Sequence, residues 1–127
     1  MSVAITVQVE FADKVILALE ESFPSALNES VSARMLDVGY SMQTDAQMRA
    51  PRRTGYMAGQ ISFEMLGYSA WAFRLIGRAP YTVYQEFGTR HIQPHLFMTT
   101  SVQFHQQEMV QAIQDAVSDV IREAFGL

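Results

Sequence analysis

Along the first residues, Val3, Ile5, Val7 and Val9 alternate with Ala4, Thr6, Gln8 and Glu10, the period of two that lets a strand bury one face and wet the other. A first strand is predicted there. From Phe11 to Ser22 the apolar positions Val15, Ile16, Leu19 and Phe23 fall at helical spacing and Pro24 closes the run, so a short amphipathic helix follows. Ser25 or Asn28 can cap a second helix, whose apolar positions Leu27, Val31, Met35, Val38 and Met42 recur every three or four residues up to about Arg49. At 1.5 Å per residue that helix would be ~33 Å long. Pro51 and Gly55 end it, because proline cannot continue the hydrogen-bond ladder and glycine permits a sharp reversal.

Ile61, Phe63 and Met65 alternate with Ser62 and Glu64, and beyond Gly67-Tyr68-Ser69 the series Trp71, Phe73, Leu75 alternates with Ala72 and Arg74. Two antiparallel strands joined by a short turn are predicted. Pro80 opens Tyr81-Thr82-Val83-Tyr84-Gln85-Glu86-Phe87, which fits one helical turn or a short strand and ends at Gly88. From about Leu96 to Phe125 there is no internal Gly or Pro, and Val102, Met109, Val110, Ile113, Val117, Val120 and Ile121 form an apolar stripe, predicting one long terminal helix of ~45 Å. No repeat, linker or charge block interrupts the chain. The pattern predicts a single α+β domain over residues 1–127, a small antiparallel sheet packed against a long central helix and a long C-terminal helix.

Composition narrows the chemistry. Of 127 residues 49% are apolar and 17% charged, the balance of a chain with a packed core rather than a disordered tail. There is no cysteine, which excludes a disulfide framework, a thiol nucleophile and a thiolate zinc site, and fits folding in a reducing cytoplasm. Eight methionines suit irregular cores and subunit interfaces equally well. The start Met1-Ser2-Val3-Ala4-Ile5-Thr6-Val7 has neither the basic residues nor the long apolar block of a signal peptide, and no apolar run reaches membrane-spanning length, so no membrane partner is expected. A net charge of -4 argues against a tight grip on nucleic acid, which needs many Lys and Arg contacts.

No catalytic, cofactor or metal set stands out. His91 and His95 are four apart, but Pro94 lies between them and would break the helix that brings two such ligands to one face. The carboxylate pairs Glu20 with Glu21 and Asp115 with Asp119 read as solvated helix faces rather than an acid/base dyad. Gly55-Tyr56-Met57-Ala58-Gly59 has the wrong centre for a nucleophile elbow, and no glycine pattern matches a phosphate or dinucleotide loop. The densest charge is Arg49, Arg52 and Arg53, either a helix-end cluster favoured by the dipole or a set of forks for carboxylates on a neighbouring subunit. Glu86, set among aromatics beside a glycine, is expected to pair with Arg90 or with an arginine of the first loop.

Two segments, Ala50-Pro51-Arg52-Arg53-Thr54-Gly55 and Tyr81-Thr82-Val83-Tyr84-Gln85-Glu86-Phe87-Gly88-Thr89-Arg90, resemble a family of tail components from long-tailed bacteriophages that complete the head-tail junction. In that family a helix ends in an A-P-x-x-T-G-x-L turn, strands follow, and a Y-x-x-Y-x-E-x-G-T segment precedes a proline and a terminal helix. The order is kept here over about residues 28 to 125, with Met57 where leucine is common and His95-Leu96 in place of the usual second proline pattern.

The resemblance implies a structural virion protein, not an enzyme and without cofactors. It would form a homo-oligomeric ring, commonly of six subunits, that terminates the tail tube and joins it to the head connector. Its partners would be the tail tube protein and the head-closure or connector protein. Phage DNA would pass through the lumen without specific binding, and the protein would be assembled in the host cytoplasm and located in the virion. Six copies would carry roughly -24 formal charges, enough for an acidic lumen to repel DNA phosphates. The residues carried over as an interface are Pro51, Arg52, Arg53, Thr54, Gly55, Tyr81, Tyr84, Glu86, Phe87, Gly88, Thr89 and Arg90. The alternatives are a head-closure stopper or minor virion protein, and, in other classes, a small nucleic-acid-binding module or an enzyme.

Overall fold

The computed structural model describes residues 2–8, 18–19, 21–51, 55–66 and 72–126. In chain order it holds β1 (Val3–Gln8), α1 (Pro24–Arg49), α2 (Tyr56–Gly59), β2 (Ile61–Met65), β3 (Ala72–Gly77), α3 (Thr82–Phe87), α4 (Phe97–Phe104) and α5 (Gln106–Phe125). The fold is mixed α+β, a small antiparallel sheet against a long central helix and a long, bent C-terminal helical stretch.

The strands lie in the order β1-β3-β2, so Leu75 of β3 faces Ile5 on one side and Phe63 on the other. Alternation puts Val3, Ile61, Phe63, Phe73 and Leu75 into the core, while Glu64 and Arg74 are register partners on the opposite face. One buried and one wetted face is the usual state of an antiparallel sheet. The edge strand β2 does not leave its backbone groups open: Phe63 N donates to Gln43 Oε1 at 2.8 Å and Gln47 Nε2 donates to the Ile61 carbonyl at 3.1 Å. Two glutamines of α1 thus bond edge groups of β2, one N–H and one carbonyl, as a fourth strand would.

Helix α1 buries Leu27, Val31, Met35, Gly39, Met42 and Ala46, one stripe at intervals of three or four residues that meets β2, α4 and α5. Its start differs from the expectation. Pro24, predicted to close the preceding helix, sits in the first turn of α1, and no side chain of Ser25 or Asn28 caps it. Proline is suited to that place, since its fixed φ is helical and its missing N–H would have no partner in a first turn. The helix ends as predicted at Arg49, with Ala50 extended at ψ 139°, the conformation that a following proline imposes. Of the helix predicted over Phe11–Ser22, most lies outside the described residues; 18–19 and 21–22 are helical, and Phe23 N donates to the Leu19 carbonyl at 2.7 Å. The Gly67-Tyr68-Ser69 turn also lies outside them.

The terminal helix predicted over Leu96–Phe125 is two helices, broken at His105. No glycine or proline marks the break. The buried imidazole Nδ1 lies 2.8 Å from the Ser101 carbonyl, and the backbone there, at φ -93° and ψ 4°, leaves the α region. Leu96, expected inside the helix, precedes it in the left-handed conformation at φ 48°. Val110, expected on the apolar stripe, is exposed, whereas Met109, Ile113 and Val120 are buried. Ser101 Oγ donates to the Met42 carbonyl at 2.8 Å, and Arg34 pairs with Asp119 and, at 3.7 Å, with Asp115, fastening α4 and α5 to α1. The Asp115–Asp119 pair is therefore an anchor for Arg34 rather than a merely solvated face. No helix among the described residues is long and apolar enough to cross a membrane.

Candidate interaction surface

The segment from Tyr81 onward, whose class the sequence left open, forms α3, a helix of six residues. Its two sides differ sharply. Thr82 and Glu86, four apart, are fully buried, while Tyr81, Tyr84 and Phe87, three apart, are exposed, Phe87 by 55%. A helix places those two sets on opposite faces, so the aromatics form an outward ridge and the acid points into the protein.

Glu86 does not pair with Arg90 or any described arginine. Its carboxylate accepts Met98 N at 2.9 Å and Thr99 N at 2.8 Å, two free N–H groups in the first turn of α4, and the Thr99 hydroxyl Oγ1 at 2.7 Å. That helix has no capping side chain of its own, because its N-cap position is Leu96. A buried carboxylate is stabilised by amide donors and the positive end of a helix dipole as well as by a guanidinium. Glu86 is thus a remote cap, and its full burial removes it from contact with a neighbouring molecule, correcting its placement at an interface.

The chain between cap and helix is folded to make this possible. Gly88 has φ 78° and ψ 172°, a region essentially confined to glycine, and a Cβ there would lie 2.7 Å from the Ile92 carbonyl oxygen. Thr89 N donates to that same carbonyl at 2.9 Å, and Thr89 Oγ1 accepts from His91 N and Ile92 N, both at 3.1 Å. His95 N and Leu96 N then donate to the carbonyls of Gln85 and Glu86, at 3.0 and 3.1 Å. The residues Glu86, Gly88 and Thr89 make a closed turn that delivers α4 to its cap. Arg90, His91 and His95 are exposed on it.

The first motif divides differently. Pro51 is half-buried beyond α1, and Gly55, at φ 81°, occupies the N-cap position of α2; Arg52, Arg53 and Thr54 lie outside the described residues. Among the described residues, neither Pro51 nor Gly55 is hydrogen-bonded to the segment from Tyr81 to Arg90. Of the arginine cluster, Arg49 is described: its Nε donates to Asp45 Oδ2 at 2.9 Å and its guanidinium stands 5.3 Å from the centre of the exposed Phe104 ring.

A second exposed surface is not signalled by the core-facing pattern. On the side of α1 away from the core, Tyr40, Ser41, Thr44, Asp45 and Met48 line an open groove of about 430 Å³, with Met48 71% exposed. The size overlaps that of small-ligand pockets, but those are enclosed and gather polar groups from several elements, whereas this groove is open and lined by one helix. It is an open surface rather than an enclosed site. Its signal in the sequence is the i, i+4, i+8 spacing of Tyr40, Thr44 and Met48, which goes unnoticed when apolar periodicity is read only for the buried face.

Comparison with protein-family models found no match, and comparisons with curated proteins and with solved structures likewise found none.

Proposed function

We propose that this chain is a non-catalytic ring subunit at the head-tail junction of a long-tailed bacteriophage, closing the tail tube and joining it to the head connector. The observation that carries the reading is the joint order of two motifs, Ala50-Pro51-Arg52-Arg53-Thr54-Gly55 after a long helix and Tyr81 to Arg90 before the terminal helices. The geometry supports it in two ways. Glu86, Gly88 and Thr89 have a joint structural reason to occur at that spacing, since they build one capped turn. The same turn carries an aromatic ridge outward, and exposed apolar residues gathered in one place are characteristic of a surface that a partner covers.

The work of such a protein is geometric, a ring matched on one side to the connector and on the other to the tail tube, its net charge of -4 per copy keeping the lumen from holding DNA phosphates. Native mass spectrometry across a range of concentrations, with negative-stain imaging of the same sample, tests it. Closed rings of one stoichiometry are the expected result. A chain that stays monomeric at high concentration and in the presence of tail tubes would overturn the reading.

A further inference from the structure

We propose that the aromatic ridge of α3 docks on the outward face of α1 in a second copy of this chain, so that subunits join head to tail; the inference rests on the ring reading above. The ridge is Tyr81, Tyr84 and Phe87, each roughly half exposed. With aromatic side chains presenting 150–250 Å², it offers roughly 300 Å², against about 800 Å² per partner in a stable interface. It is the centre of such an interface, with the surrounding turn as its rim.

Charge selects the occupant. The exposed residues that follow the ridge include Arg90, His91 and His95, and from Tyr81 to Leu96 the one carboxylate is the buried Glu86. The outward stripe of α1 carries Asp37, while its second carboxylate, Asp45, is already paired with Arg49 at the end of the helix. Ridge against ridge would bring Arg90 near its own copy, and stripe against stripe would do the same for Asp37; ridge against stripe opposes unlike charges and covers Tyr84 and Phe87 with Tyr40 and Met48. Dimensions agree: the six-residue span of the ridge is ~9 Å and the stripe from Asp37 to Met48 is ~16 Å. The two patches lie on different elements, α3 packing on α4 while α1 turns its opposite face to the core. Two different, complementary patches on one chain are what a closing head-to-tail ring requires.

Paired interface variants test this by sedimentation velocity on the full chain, with circular dichroism as the folding control. Phe87→Glu removes the ridge and Met48→Glu removes the stripe, each by setting a carboxylate against the apolar side chains of the opposing patch, and the two altered patches repel each other. Each variant alone is expected to sediment as a monomer. Their equimolar mixture is expected to give a species of twice the 14.3 kDa chain mass and nothing larger, because each has one intact patch. Tyr84→Glu serves as a second ridge variant if Phe87→Glu does not fold. Wild-type oligomers that persist in all variants would overturn the docking while leaving self-assembly intact. Monomeric variants whose mixture stays monomeric would equally overturn it, and a wild-type chain that never self-associates would overturn both the docking and the ring.

Discussion

Glu86 shows how one side chain can set the course of a neighbouring element. It holds two first-turn amides of α4 and the Thr99 hydroxyl by three hydrogen bonds while fully buried, so the loss of its charge leaves donors dry and poorly matched. Glu86→Gln turns one acceptor oxygen into an NH2 facing N–H groups, and the expected cost is about 2 kcal/mol, the scale of a charged hydrogen bond with a donor left unsatisfied. Urea unfolding measures it, and a change below about 0.5 kcal/mol would show that the cap is not made in solution. Gly88→Ala attacks the same turn from the backbone. Its positive φ and the Ile92 carbonyl 2.7 Å from a Cβ act together, and the expected loss is about 1–3 kcal/mol in the same assay. Circular dichroism should show most helix retained in both, because α1 and α5 do not depend on this cap.

At the scale of elements, Gly39 sets two tendencies against each other. It lies in the middle of α1, where alanine would gain about 1 kcal/mol of helix propensity. Its missing side chain is also the space occupied by the Phe63 ring, which a Cβ would enter. Overpacking a close-packed core costs about 1–3 kcal/mol, so Gly39→Ala is expected to lower the urea midpoint, and a raised midpoint would show that Phe63 moves aside freely. The contest also explains what was legible. The stripe of α1, the alternation of β2 and β3 and the stop at Pro51 follow from local periodicity and backbone chemistry, and each appears within a few residues of its predicted place. Pro24 was ambiguous because proline both ends one helix and starts another. The break at His105 and the inward turn of Glu86 depend on partners four to thirteen residues away, Ser101, Met98 and Thr99, and no local pattern carries those contacts. The site was legible as a motif, but the division within it was not, because that depends on which side of α3 meets α4. Glu86, Gly88 and Thr89 build the turn, and Tyr81, Tyr84 and Phe87 face outward.

Across the whole molecule, one ion-pair group joins elements distant in sequence, Arg34 with Asp115 and Asp119 between α1 and α5, and another ties consecutive strands, Glu64 with Arg74 and Arg78 beside β2 and β3. Hydrogen bonds from Arg74 and then Arg78 hold the Glu64 carboxyl below the usual carboxylate range, and the bond to Asp119 raises Arg34 above its ordinary value. The signs of the two are opposite. A depressed carboxyl binds fewer protons folded than unfolded, so its contribution is complete above the ordinary carboxylate range and disappears as pH falls through the folded value. A raised arginine contributes fully below its ordinary value, far above any pH in ordinary use, so acid does not remove it from the Arg34 side. The acid-sensitive share measured at Glu64 is therefore separable by Glu64→Gln. The stability gap between wild type and this variant is expected to be small, as for other solvent-exposed pairs, positive at pH 7, reduced at pH 3 and reduced again by 1 M salt, which screens exposed charges. A gap that persists unchanged from pH 7 to pH 3 would show that Glu64 acts through its shape and neutral hydrogen bonds. Since Glu64 and Arg74 face away from the core and belong to neither the ridge nor the stripe, the same variant should leave assembly intact, which makes it the control for every substitution made at those two surfaces.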